Sequence, residues 1–275
     1  MNKITVKAPA KINWYLNVGA KRSDGYHDIS TVMQTVELYD TLSFERTDHN
    51  DVRLCVVNGG ADIPTDERNI VCRAARALGV YGVDIKLEKN IPSQAGLGGG
   101  SSDAASALCA LNDLFELGKT KAELARIAAG IGSDVPFFVY GGACLIGGMG
   151  EEVTPLQPVD SYKIGIIKHS AGLSTKDVFA RFDSLPYRCD VGLDEFLRHF
   201  NNEDKNLHEY LFNSLEPAAL SLCPDIVRAR DEMLELGACR AMMSGSGTSV
   251  FGLFDEKTMA LAAERKKDDG EFWKV

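Results

Sequence analysis

The chain has 275 residues, 45% of them hydrophobic and 25% charged, which excludes a disordered or fibrous protein and allows one large domain or two that share a cleft. Thirty Lys plus Arg against 39 Asp plus Glu give a net charge of −9, so nucleic acid and anionic membranes are not expected partners. Gly or charge interrupts every apolar stretch before the roughly 20 residues that a membrane span needs, and the N-terminus lacks the apolar core of a signal peptide, which predicts a cytoplasmic protein.

In chain order, alternation at Ile4, Val6 and Ala8, and again at Ile12, Trp14, Leu16 and Val18, predicts two short strands or one broken at Pro9. Lys11, Asn13 and Tyr15 then share the opposite face. Residues 31–38, 41–46, 53–57 and 83–88 read as strands, with Ser23-Asp24-Gly25 and Asn58-Gly59-Gly60 as turns. Helical spacing marks 70–78, 104–115 and 121–129, and a strand pair follows near 143–146 and 151–154. Pro155 and Pro158 place a domain boundary between 157 and 158, because proline interrupts helix and sheet pairing alike. Beyond it, 163–168, 239–243 and 249–254 read as strands, and 175–182, 193–200, 225–236 and 259–266 as helices. Both halves mix strands and helices, so the predicted class is α+β, in domains 1–157 and 158–275. Seven Cys without CxxC spacing read as reduced core thiols.

The most informative stretch is Gly96-Leu97-Gly98-Gly99-Gly100-Ser101-Ser102, between a predicted strand and a predicted helix. Four glycines in five residues leave backbone amides unshielded, and the helix start adds the positive end of its dipole. The segment therefore predicts a phosphate cradle, with a flexible glycine turn as the plainer alternative. Ser101, Ser102 and Asp103 are candidate helix caps, and a serine hydroxyl there reaches a phosphate oxygen or a metal ion. Two other phosphate loops are excluded by counting: GxxxxGK[ST] lacks its Lys after Gly100, and GxGxxG fails at Ser101 or at Asp103.

These residues resemble the phosphate loop of the GHMP kinases. Ala8-Pro9-Ala10-Lys11-Ile12-Asn13, Asp24-Gly25-Tyr26-His27, Gly132-Ser133-Asp134-Val135-Pro136-Phe137-Phe138 and Met243-Ser244-Gly245-Ser246-Gly247 match further family segments in family order. They are most similar to the branch that phosphorylates the 2-hydroxyl of a cytidine diphosphate-linked methylerythritol in non-mevalonate isoprenoid synthesis. The resemblance implies a two-domain fold, with a ribosomal-protein-like βαβ N-terminal domain, a ferredoxin-like C-terminal domain and the active site between them. ATP and Mg²⁺ are the implied cofactors, the ion held by ATP phosphates, water and Ser102, and the implied assembly is a monomer or homodimer.

By the same resemblance, Asp134 takes the proton from the substrate hydroxyl and Lys11 is its cationic partner. Gly96, Leu97, Gly98, Gly99, Gly100, Ser101, Ser102 and Asn69 bind ATP. Asn13, Tyr26, His27, Ser246 and Gly247 bind the substrate, and Phe179 and Phe182 lie where the family places another aromatic partner for the base. Without the family, Asp134 and Asn69 read equally as helix caps, Lys11 as a lysine on a strand edge, residues 244–248 as a hairpin turn and the two Phe as core. Ser93-Gln94 and His169-Ser170-Ala171 depart from the family pattern. A homoserine or mevalonate kinase is the alternative enzyme, separated by Tyr26 and His27 because those substrates carry no pyrimidine. A catalytically silent nucleotide-binding sensor is the alternative outside catalysis.

Overall fold

The structure, a computed structural model, describes residues 2–275 apart from 24, 59–62, 149, 151, 170–171 and 187–188. Pro9 does not break the first strand: β1 (Lys3–Lys21) is continuous and pairs antiparallel with β2 (His27–Arg46). Proline lacks the N–H that a ladder needs, and the pairing slips at Pro9/Ala10 to accommodate it. A second slip at Asn13/Tyr15 leaves Trp14 as the extra residue. Lys11 and Asn13 stand opposite Thr35 and Met33, but Tyr15 stands opposite Val32 and so turns to the other face, contrary to the plain alternation. The expected strands 31–38 and 41–46 are likewise one bent strand.

Strands β3 (Val52–Val57) and β4 (Val83–Glu88) pair in parallel with α1 (Ile70–Ala77) between them, a βαβ unit. Helix α2 (Gly99–Leu114) starts five residues before apolar periodicity could register it, because the glycines themselves enter the helix behind Gly98 at φ 70°. Ser101, Ser102 and Asp103 are therefore inside its first turns rather than at its cap. The helix α3 (Lys121–Ala129) opens on a reciprocal cap between Thr120 and Glu123, and α4 (Val135–Tyr140) leads into β5 (Ala143–Gly147) and β6 (Glu152–Leu156). Pro155 lies inside β6 opposite Cys144; β6 is an edge strand, where a missing N–H breaks no ladder, so this proline does not end the pairing.

The chain continues through β7 (Lys163–Ile167), α5 (Thr175–Phe182), α6 (Leu193–Asn201), β8 (Phe212–Asn213), α7 (Glu216–Leu222) and α8 (Asp225–Glu235). It closes with β9 (Arg240–Met243), β10 (Val250–Phe254), α9 (Glu256–Arg265) and β11 (Phe272–Lys274). One sheet runs β3-β4-β2-β1-β8, with β5 and β6 branching from β2; the other runs β11-β7-β10-β9 and is antiparallel. Numbered by chain order, the second sheet reads fourth, first, third, second with α8 and α9 as its crossovers, the ferredoxin-like arrangement.

Helices α1 and α2 lie on one face of the first sheet, with α3 packed on α2, and Phe44 of the sheet shares this core with Leu108 and Leu111 of α2. A second core is built from both halves of the chain. Trp14 meets Phe200 and Phe251 at ring distances of 6.0 and 6.3 Å, and Tyr15 meets Phe196 at 5.1 Å. All seven cysteines are free thiols, but Cys55, Cys189 and Cys239 are exposed, unlike the core thiols expected. Alternation carries Cys55 to the outer face of β3. Among the described residues no helix is long and apolar enough to cross a membrane.

Candidate active site

The glycine-rich loop is shaped by what lies against it. Gly96 has φ 72°, and a Cβ there would stand 2.0 Å from the carbonyl oxygen of Ser244; at Gly98 it would meet the Phe138 ring at 2.8 Å. Both positions need glycine for conformation and for space. The loop is docked by three bonds: Lys11 N to Leu97 O at 3.0 Å, Ser244 Oγ to Gly96 O at 3.0 Å, and Ser249 N to Ala95 O at 3.1 Å. The first bond within α2 runs from Ser102 N to Gly98 O at 2.9 Å. The amides of residues 99–101 precede it, free of helical partners, on the wall of a cavity of about 850 Å³. Ser102 lies behind that wall, fully buried, and its Oγ has no hydrogen-bond partner.

Lys11, Asn13 and Asp134 line the same cavity, as do Asn69, Ser246 and Gly247. The buried Lys11 ammonium donates to Asn13 Oδ1, Asn13 Nδ2 donates to Thr31 Oγ1 at 2.8 Å, and Thr31 Oγ1 donates to the Tyr15 carbonyl at 2.6 Å. This chain points the lysine into the cleft. Burial lowers the Lys11 pKa, and the charge of Asp134 opposes that effect. Asp134 precedes α4 but makes no side-chain cap bond, so its carboxylate is not occupied by the helix. Asn69 does cap α1, accepting from Val71 N at 2.9 Å and donating to Pro64 O at 2.8 Å, while also forming part of the cavity wall.

Several contributors escaped the sequence reading. Asn213 donates to the carbonyls of Met243 and Gly245, each at 2.9 Å, and so holds the turn that faces Lys11. Its partners lie some thirty positions along the chain, and no local pattern marks them. Beside α2, Lys89 bridges the carboxylates of Asp40 and Asp103, the latter at 2.7 Å, and Asp40 also accepts from Ile91 N at 2.8 Å. Burial, only partly opposed by Lys89, pushes Asp103 up to about 8. Among the described residues no group of His, Cys, Asp and Glu is arranged to hold a metal ion.

A second cavity, of about 1100 Å³, shares Ile29, Ser133 and Phe179 with the first. Tyr26 and His27 both line it but do not present their rings together: Tyr26 is 64% exposed, whereas His27 is buried, packed 5.3 Å from Phe179 and 6.0 Å from Phe182. Phe179 reaches both cavities, while Phe182 packs against the core beneath. The turn residue Asp24 and the departures at Ser170 and Ala171 lie outside the described residues.

Residues 69–142 match the family model of the GHMP kinases N terminal domain, and residues 195–268 that of the GHMP kinases C terminal domain. The chain is 38% identical to a 4-diphosphocytidyl-2-C-methyl-D-erythritol kinase of Pelobacter propionicus, over 99% of this chain and 97% of that one. It is 40% identical to the Bacillus mycoides protein of the same name, over 91% and 88% of the two chains. A crystal structure of 4-(cytidine 5'-diphospho)-2C-methyl-D-erythritol kinase matches with a TM-score of 0.80 at 33% identity, covering 98% and 97%. Homoserine kinase from Cytophaga hutchinsonii shares the fold at 22% identity, with a TM-score of 0.72 over 100% and 93%.

Proposed function

The chain belongs to the GHMP kinases, among the 4-diphosphocytidyl-2-C-methyl-D-erythritol kinases, and from that membership we propose that it transfers the terminal phosphoryl group of ATP to the 2-hydroxyl of 4-diphosphocytidyl-2-C-methyl-D-erythritol. The observation that carries the reading is one cleft lined by Lys11, Asp134 and residues 99–101, which shares Phe179 and Ser133 with a neighbouring cavity lined by His27. Phosphoryl transfer asks mostly for positioning and for charge placed in advance. The loop amides and the start of α2 hold the phosphates, with Asn69 on the same wall. Asp134 accepts the hydroxyl proton, and Lys11, held by Asn13, stabilises the alkoxide that develops. Tyr26 and His27 receive the base end of the substrate, and Ser246 and Gly247 face the transferring group.

Mg²⁺ supplies charge neutralisation to ATP in such reactions. Among the described residues no group of His, Cys, Asp and Glu makes a cage for it, and Ser102 is fully buried and does not line the cavity. The ion is therefore assigned to the ATP phosphates and water.

The test is ADP release with ATP and Mg²⁺ on the cytidyl substrate, homoserine and mevalonate, with Asp134→Asn alongside. Expected is turnover with the cytidyl substrate alone, reduced by about 10²–10⁴ in the variant with ATP binding retained. Turnover of homoserine or mevalonate would reassign the substrate. ATP binding without turnover of any of the three would make the chain a sensor.

A further inference from the structure

The residue after α5, Asp183, has both carboxylate oxygens engaged from the opposite half of the chain. Oδ1 lies 2.8 Å from His27 Nε2, and Oδ2 accepts from Lys21 Nζ at 2.7 Å. The hydrogen bond from Lys21 first, and that from His27 after it, hold Asp183 below the usual carboxylate range, so it is ionised at neutral pH. An ionised carboxylate only accepts, hence the proton in the His27–Asp183 contact resides on His27 Nε2. A neutral imidazole protonated there has its lone pair on Nδ1. The ring is not free to turn over: its side chain is 6% exposed, Phe179 and Phe182 pack on it, and inversion would break the bond to Asp183.

Resting on the proposed cytidine substrate, we propose that Asp183 is a positioning residue that locks His27 with Nδ1 as an acceptor, and thereby selects cytosine over uracil. The two bases differ at two adjacent edge positions: at C4, where cytosine carries an amine that donates and uracil an oxygen that accepts, and at N3, where cytosine accepts and uracil donates. An acceptor at Nδ1 that faces C4 pairs with the cytosine amine and meets the uracil oxygen lone pair to lone pair, the kind of mismatch that sites discriminate most strongly. Because α5 carries Phe179 and Asp183 follows directly at its C-terminus, one segment sets the position of the ring and its tautomer together.

The experiment has two readouts on the full chain. The first is ¹⁵N NMR of histidine-labelled protein without substrate, which expects a pyrrole-type shift at His27 Nε2 and a pyridine-type shift at Nδ1. Asp183→Asn, whose amide can donate to Nε2, should reverse or mix that pattern. Lys21→Met, which removes the ion pair but keeps the Asp183–His27 bond, should preserve it. The second readout is the ratio of kcat/KM for cytidine- over uridine-diphosphate-linked methylerythritol. That ratio should be on the order of a hundredfold in the parent and fall at least about tenfold in Asp183→Asn, through KM for the cytidine compound, while Lys21→Met retains it. Nδ1 protonation in the parent, an unchanged ratio in Asp183→Asn, or equal loss in both variants would overturn the proposal. Turnover of neither nucleotide would overturn the substrate reading and the base selection with it; the nitrogen shifts, read without substrate, tell that failure from failure of the lock.

Discussion

One methyl group at residue 96 would force the loop and the opposing turn apart. Since a Cβ there would sit 2.0 Å from Ser244 O with φ at 72°, Gly96→Ala must move backbone, and no side chain is available to yield. We expect a loss of about 1–3 kcal/mol in urea unfolding and a raised KM for ATP. Lys11 makes a second prediction with a definite sign. Burial lowers its pKa, so the ammonium charge is lost as pH rises through a value below the usual 10.5. A kcat profile should show an alkaline limb below 10.5, and Lys11→Arg, which keeps its charge, should lose that limb along with part of the rate. At this scale the pairing of Lys11 with Asn13 was legible, because residues two apart share a strand face. Tyr15 was not, since the bulge at Trp14 reverses the alternation, and Asn213 was not, since only the tertiary fold brings it under the 243–245 carbonyls.

For single elements, apolar period locates most helices but says little about their ends. Thr120 and Glu123 cap α3 reciprocally, with Thr120 N donating to Glu123 Oε2 at 2.8 Å. Thr120→Ala should cost about 1 kcal/mol in chemical denaturation without changing kcat. Helix α2 hid its start because glycine has no hydrophobicity to register, and its anchoring came from polar residues far apart in sequence. Asp103 ties it to Lys89 and, through Lys89, to Asp40 on β2. With Asp103 held at about 8, the folded chain keeps a proton that the unfolded chain releases near the ordinary value of about 4. The folded state is then penalised progressively as pH rises from about 4 to about 8, and the penalty levels off above that. Asp103→Asn removes this titration. Urea unfolding at pH 5 and pH 8 should therefore show a smaller fall in stability for the variant than for the parent.

At the scale of the whole molecule, composition and the mixture of periods were enough for an α+β class, and five short segments for the family. The seam between the halves was not legible, because it is made of a two-residue strand and of aromatics whose partners lie far along the chain. Strand β8 comes from the second half yet pairs in parallel with Tyr15 and Leu16 of the first sheet. Trp14 and Tyr15, from the first half, are covered by Phe196, Phe200, Phe212 and Phe251 from the second. A fragment of residues 1–157 would thus expose two of the largest buried side chains in the molecule and lose an edge of its sheet. Exposing such residues forfeits roughly 1.5–3 kcal/mol each, a large share of the 5–15 kcal/mol that holds a domain folded. Residues 1–157 expressed alone should accordingly be unfolded or aggregate, and calorimetry of the full chain should give one transition with van't Hoff and calorimetric enthalpies in agreement. Trp14→Ala should lower that single transition by the equivalent of about 3–5 kcal/mol. Two separate peaks, with only the first moved by Trp14→Ala, would instead mean that the aromatic seam contributes little and that each half is held by its own core.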